Sequence, residues 1–307
     1  MKVLVVGGTG FLGTALVREL DDRGHDVTAL SRDPSGTDLP ASVERVQEDI
    51  RDRDRLTEVA TDHEAIVNLV ALSPLRVPSG GETMHDEIHR QGTEHVVAAA
   101  EAADATHLVQ LSALGADPNG PTHYLRAKGR AEAAVRESTV PWTIFRPSVV
   151  FGDGGEFVSF TRTLTPPVLA PLPGGGRTKF QPIWRGDIVP MIADATVEGG
   201  HDGETYEIGG PEVLRLAQVA KLSREALGQK TRILPVPMAL AGLGLTVMGA
   251  IPGAPFGRDQ YRSLQMDNVT TENDVSAFGV AESDLRTLRD YLGLSEAIGE
   301  QSVAGPA

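Results

Sequence analysis

The first thirteen residues constrain the fold most. Lys2–Val6 is a short apolar run, and Gly7-Gly8-Thr9-Gly10-Phe11-Leu12-Gly13 follows without a break. Ala15–Leu20 then carries a helical pattern. A buried strand that turns through glycines into a helix builds a site for a nucleotide pyrophosphate. The first glycine permits the tight turn, the second lets the backbone approach the phosphates, and the third lets the helix pack close to the strand. The helix N-terminus adds unpaired N–H groups and the positive end of its dipole. Gly7, Gly10 and Gly13 are spaced GxxGxxG, not GxGxxG. With Thr9, Phe11 and Leu12 they form the expected cofactor-facing loop.

The continuation bears on which dinucleotide is held. Gly24-His25-Asp26 reads as a turn and Val27–Leu30 as a second strand. Where NAD-selective chains place an acidic residue for the ribose 2′-hydroxyl, this chain has Ser31-Arg32. An arginine there would pair with a 2′-phosphate through its charge and planar fork. The expectation is therefore NADP(H), with NAD second. The alternative makes Arg32 a solvated loop charge and gives the ribose to Asp33.

Composition narrows the function classes. A length of 307 residues allows a large core and two subdomains. The absence of cysteine excludes disulfides, thiolate metal sites and cysteine nucleophiles. A net charge of −14 argues against nucleic acid as a partner. Five lysines stand against 23 arginines and 42 acidic residues. An acidic, lysine-poor surface is that of salt-adapted proteins, whose self-repulsion is screened at high salt. A GC-rich genome also exchanges lysine for arginine. No leader precedes the first strand, which predicts a cytoplasmic protein.

Strands alternate with helices through the first half, predicting a parallel sheet with crossover helices. Strands are expected at Val43–Val46, Ala65–Ala71, His107–Leu111 and Trp142–Val150, and helices at Arg51–Ala60, His85–Ala103 and Tyr124–Arg136. The loop Leu72–Gly81 is rich in Gly, Pro and Ser. Beyond it, Phe180–Trp184 reads as extended, Asp187–Thr196 as helix, Tyr206–Ile208 as a strand and Leu216–Leu227 as an amphipathic helix. Residues 233–257 carry no charge, but prolines interrupt them, and the unbroken part Met238–Ile251 is too short to span a bilayer. It reads as a core or pocket-lining helix, with an interfacial helix as the alternative. The expected organisation is a nucleotide-binding domain over 1–150, a C-terminal substrate subdomain over 151–293 that is partly interleaved with it, and a frayed tail over 294–307.

A second constellation joins Ser112 to Tyr124 and Lys128. Tyrosine and lysine four apart share a helical face. An ammonium beside a phenol favours the phenolate, so the spacing predicts a lowered Tyr124 pKa and a proton donor or acceptor near neutral pH. Ser112 ends a predicted strand, where ligands collect in such sheets. His85 and His89, four apart on a helix, have a spacing metal ligands can use, but no third ligand is evident and no metal is expected. Glu87 or His89 facing the substrate is the alternative.

GGTGFLG, VNLVA, YLRAKGRAE, RPSVVFG, QPIWRGDI and LQMDNV together resemble the short-chain dehydrogenase/reductase superfamily, in its extended or atypical branch. Within that branch the chain is most similar to proteins like the nucleotide-binding accessory subunit of respiratory complex I and to epimerase/dehydratase-like proteins. The resemblance reaches to about Leu292. It implies a doubly wound α/β Rossmann sheet with a smaller, mostly helical C-terminal subdomain. It also implies that Tyr124 donates or accepts the proton, that Lys128 holds the nicotinamide ribose and tunes Tyr124, and that Ser112 orients the substrate oxygen. Asp49 and Ile50 would sit by the adenine. Leu69, Val70 and Ala71 would flank the ribose, and Pro147, Val149 and Val150 would touch the nicotinamide end.

The chain departs from the epimerases after its sixth strand, where Ser148 and Phe151 replace an asparagine and a tyrosine that serve the sugar diphosphate. Three functions follow. The first is an NADP(H)-dependent oxidoreductase acting on a small or lipid-like carbonyl or alcohol. The second is a non-catalytic NADP(H)-binding sensor or assembly protein, with respiratory-complex or peripheral membrane contact. The third is a nucleotide-sugar epimerase or dehydratase. A monomer or homodimer is expected.

Overall fold

The computed structural model describes residues 1–242 and 257–294. Much of the uncharged run, and the tail from 295 onward, therefore lie outside the described residues. The chain starts as read: strand β1 (Lys2–Val6) turns through the glycines into helix α1 (Gly13–Asp22). Strands β2 (Asp26–Ser31), β3 (Glu44–Gln47), β4 (Ala65–Asn68), β5 (His107–Leu111) and β6 (Trp142–Pro147) follow. Helices α2 (Arg53–Ala60), α3 (Gly92–Ala102) and α4 (His123–Arg136) are interleaved with them. Seven parallel strands form the main sheet in the order β11-β6-β5-β4-β1-β2-β3, where β11 is Glu204–Ile208. This is the doubly wound arrangement, with its topological switch between β1 and β4.

Alternation within β1 explains the two layers. Val3 and Val5 pack on one face with Leu16, Val17 and Leu20 of α1 and with Ile188 and Ile192 of helix α6 (Arg185–Val197). Leu4 and Val6 pack on the other with Leu56 of α2, Val96 and Ala100 of α3, and Val135 of α4. Being buried on both faces, these strands read as continuous apolar runs.

Several boundaries differ from expectation for identifiable reasons. The fourth strand ends at Asn68, whose side chain accepts the Val70 N–H and donates to Gln110 and Thr93. The sixth strand ends at Pro147, and the chain resumes as β7 (Val150–Phe151) in a separate ladder with β10 (Ile183–Trp184). The long helix expected at His85–Ala103 opens as a π-helical segment, Asp86–Gln91, before α3.

The remaining elements form a smaller layer: α5 (Glu156–Leu164), β8 (Val168–Pro173), β9 (Lys179–Phe180), β12 (Leu214–Arg215), α7 (Leu216–Glu225), β13 (Thr231–Val236) and α8 (Arg258–Ser263). β8 pairs with β13 in parallel and β9 with β12 in antiparallel fashion. Leu234 and Leu240, in the uncharged run, are exposed. Among the described residues no helix is long and apolar enough to cross a membrane.

The glycine turn is sterically closed to side chains. Gly7 has φ +90°, and a Cβ on Gly13 would stand 2.1 Å from the Gly7 carbonyl oxygen. Backbone is the obstacle, so no rotamer relieves it. Gly13→Ala is expected to cost about 3 kcal/mol of stability as an overpacking substitution, read from the urea midpoint. An unchanged midpoint would contradict this packing.

Candidate active site

The turn between β1 and α1 leaves donors without protein acceptors. Leu12 occupies the N-cap of α1 with no side-chain cap. Among the described residues, the N–H groups of Phe11, Leu12 and Gly13 make no hydrogen bond. A Cβ on Gly10 would meet only the Gly7 carbonyl oxygen, at 3.2 Å. Unpaired N–H groups, an open glycine and a helix dipole end fit a pyrophosphate. The backbone of Leu69 and Val70 closes the other side, 3.1–3.2 Å from where a Gly7 Cβ would lie. One contributor escaped the sequence reading. Arg185 stacks 5.2 Å over the Phe11 ring and donates to the carbonyls of Phe11 at 3.3 Å and Asp153 at 3.0 Å.

At the end of β2 the two candidates for the ribose separate. Asp33 is engaged in a local turn, accepting from the Ser35 backbone N–H at 3.0 Å and from the Ser35 hydroxyl. Arg32 is exposed and makes no hydrogen bond or ion pair among the described residues. Asp49 is gripped by Arg51 at 3.0 and 2.7 Å, which holds its carboxyl below the usual range. Ile50 is buried and packs in the core with α3. Glu87 pairs with Arg51 at 3.0 Å and does not line the cleft beside Tyr124.

A cleft of about 760 Å³ opens at the carboxyl ends of the strands. Phe11, Leu12, Ala71, Ser112, Tyr124, Pro147, Val149 and Val150 line it, whereas Lys128, Leu69, Val70 and the loop glycines Gly7, Gly10 and Gly13 do not. Leu72, Leu75, Phe157, Phe180 and Met266 give it much apolar lining, and Glu156, Glu207 and Asp267 add carboxylates. Tyr124 is half-buried, and its hydroxyl makes no hydrogen bond among the described residues.

Lys128 is 1% exposed and donates to the Leu111 carbonyl at 2.8 Å. Burial pushes its ammonium down to about 8, against the opposing pull of Glu132. The expected lowering of Tyr124 is not found. Burial raises the phenol well above its ordinary value, because desolvation penalises the phenolate. Ser112 donates to the buried Glu132 carboxylate, which also takes Arg146 Nε at 2.8 Å and Nη2 at 2.6 Å. Its hydroxyl proton is thus committed, and its lone pairs remain to accept.

His85 and His89 sit behind Tyr124, with ring centroids 5.6 and 5.3 Å from the phenol ring. His89 Nε2 accepts the Leu72 N–H at 3.3 Å, and burial keeps its ring neutral. Neither histidine lines the cleft. Asn268 is a further residue the sequence reading did not single out. Its Oδ1 accepts from Ser148 Oγ at 2.7 Å and Val149 N at 3.1 Å, fixing the wall after β6.

Residues 7–163 match the family model described as NAD(P)H-binding. The chain belongs to this NAD(P)H-binding family. It is 28% identical over 289 residues to the mitochondrial NADH dehydrogenase (ubiquinone) 1 alpha subcomplex subunit 9 of Arabidopsis thaliana, covering 88% of this chain and 71% of that one. It is 30% identical over 283 residues to the chloroplastic divinyl chlorophyllide a 8-vinyl-reductase of Oryza sativa subsp. indica, covering 83% and 68% respectively. UDP-glucose 4-epimerase of Thermus thermophilus, solved in complex with NAD, superposes with a TM-score of 0.66 at 20% identity, over 86% of this chain and 99% of that one. This last likeness is one of fold.

The lowered Lys128 value carries a pH consequence. A dinucleotide whose ribose hydroxyls accept from the ammonium binds the protonated form. Affinity should hold below pH 8 and fall as pH rises through about 8, where Lys128 deprotonates in the free protein. Fluorescence titration of NADPH from about pH 6.5 to about pH 9.5, bracketing that value, tests this. Lys128→Met should bind more weakly throughout and lose that inflection.

Proposed function

We propose that this chain is an NADP(H)-dependent oxidoreductase that reduces a carbonyl or a related unsaturated group on an apolar, lipid-like substrate, with Tyr124 as proton donor. The unbonded Tyr124 hydroxyl at a cleft with much apolar lining is the observation that carries the reading. When bound, the dinucleotide supplies the hydride. The Phe11, Leu12 and Gly13 N–H groups would hold its pyrophosphate, and Lys128 its nicotinamide ribose. Arg32, unpaired among the described residues, would take a 2′-phosphate, whereas Asp33 is already occupied by Ser35. Burial keeps the phenol protonated, in the form a donor needs, although it is then a weaker acid than a free phenol. Ser112 would accept from the substrate oxygen once it carries that proton. The reductase name of the rice relative agrees with this direction of reaction.

A second reading, a non-catalytic NADP(H)-binding subunit, is favoured by the similarity to a complex I subunit. It also draws on the raised Tyr124 value, since a phenol held protonated is a poor base.

Two measurements test the proposal. NADPH should bind more tightly than NADH, and Arg32→Ala should lose about 1–3 kcal/mol of that preference. Equal wild-type affinities would remove the NADP assignment. Tyr124→Phe should lower turnover of apolar carbonyls by about 10²–10⁴-fold while leaving NADPH affinity nearly unchanged. Turnover at the wild-type rate would exclude Tyr124 as the donor. Tight NADPH binding with no turnover across a broad panel would favour the non-catalytic reading.

A further inference from the structure

Beside the cleft, four side chains from three segments converge at the start of α4. Glu82 and His85 precede the π-helical segment, His123 opens α4, and Asp259 belongs to α8. Glu82, His123 and Asp259 each bring a ligand-type atom within 4.8 Å of the others. His85 Nε2 lies 3.7 Å from Glu82 Oε2. In the sequence, His85 and His89 have no evident third ligand. The fold instead gathers Glu82, His123 and Asp259 and sets His85 against Glu82.

Two features of this cluster are unresolved without a ligand. The Oε2 atom of Glu82 is buried with no hydrogen-bond partner, and it stands beside a second carboxylate. His85 is 1% exposed, its buried Nδ1 has no hydrogen-bond partner among the described residues, and its Nε2 lies 3.7 Å from that orphaned oxygen. Buried carboxylates are ordinarily paired or bound to a metal. Among the described residues, the cationic side chain in ion-pair contact with Asp259, apart from His123, is Arg262, at 3.3 Å on Oδ1. Oδ2 accepts the His123 backbone N–H and lies 2.9 Å from His123 Nδ1.

We propose that Glu82, His85, His123 and Asp259 form a binding site for a divalent metal ion of the zinc class. Two imidazoles and two carboxylates make a borderline nitrogen–oxygen donor set, suited to Zn²⁺ or Co²⁺. Donors about 2.1 Å from a tetrahedral ion lie about 3.4 Å apart, so side-chain rotation brings Glu82, His123 and Asp259 from within 4.8 Å of one another to that spacing. The ion takes the place of the His123 Nδ1 proton, which leaves to solvent. Burial already keeps His85 neutral, at about 4, with a lone pair to give. His123, 45% exposed, opens a path of entry. Glu82, His123 and Asp259 are the mutually close donors and His85 Nε2 stands 3.7 Å from Glu82 as a fourth, so the role is structural: the ion clamps α8 onto the turn that carries Tyr124, the residue after His123.

The test uses tag-free full-length protein dialysed against EDTA. Co²⁺ should bind at one equivalent with the ligand-field absorption of a tetrahedral site, and Zn²⁺ should raise the melting temperature. Glu82→Gln, an isosteric change, and His123→Ala, at a half-exposed position, should each weaken Co²⁺ binding by at least about 100-fold while far-UV circular dichroism stays unchanged. The proposal is overturned if Co²⁺ gives no such absorption, or if both folded variants bind it with wild-type affinity.

Discussion

The carboxylate of Glu132 governs the geometry of this site. It is 1% exposed, and a buried charge must be paired. Arg146 on β6 meets it bidentately, Ser112 after β5 donates to it, and Arg136 approaches at 3.0 Å. Tyr124, Lys128 and Glu132 follow at intervals of four along α4 and so share a face. One anchored carboxylate therefore sets the rotation of α4 against the ends of two strands, and with it where the phenol and the ammonium point. Stripping a buried ion pair of one partner costs about 3–5 kcal/mol, enough to make this register strongly preferred.

Burial then determines the chemistry of that face. Lys128 and Tyr124 are both shifted toward their uncharged forms, the lysine downward and the phenol upward. His85 and His89, packed on the same ring, are neutral for the same reason. Behind the cleft, the Lys128 ammonium and the Glu132–Arg146 pair are thus the charges that sit among neutral rings.

The parallel strands were legible because strands buried on both faces are uninterrupted apolar runs, as Val3–Val6 and Ala65–Val67 are. The glycine turn was legible because its residue types are dictated by sterics. Glu132 and Arg146 stood in quoted motifs, yet nothing local pairs residues fourteen apart across a helix and a strand. The end of the sixth strand was hidden for a similar reason, since Asn268 holds Ser148 from 120 residues away. The π-helical segment leaves no mark in hydrophobic periodicity. The direction of the Tyr124 shift was misjudged because spacing reveals a neighbouring charge, whereas desolvation depends on what the whole fold places around the ring.

The bond between Asn268 and the wall after β6 also has a consequence in time. At about 5–20 residues per second, a ribosome needs about 6–24 s to pass from residue 148 to residue 268. During that interval β1 to β6 can already be paired, so the glycine turn is assembled while the wall at Ser148 and Val149 still lacks its clamp. The nascent chain thus presents a nucleotide cradle before it has an enclosed cleft. Cofactor captured at that stage would hold the early half together by mass action until the last strand of the sheet and Asn268 arrive to close around it.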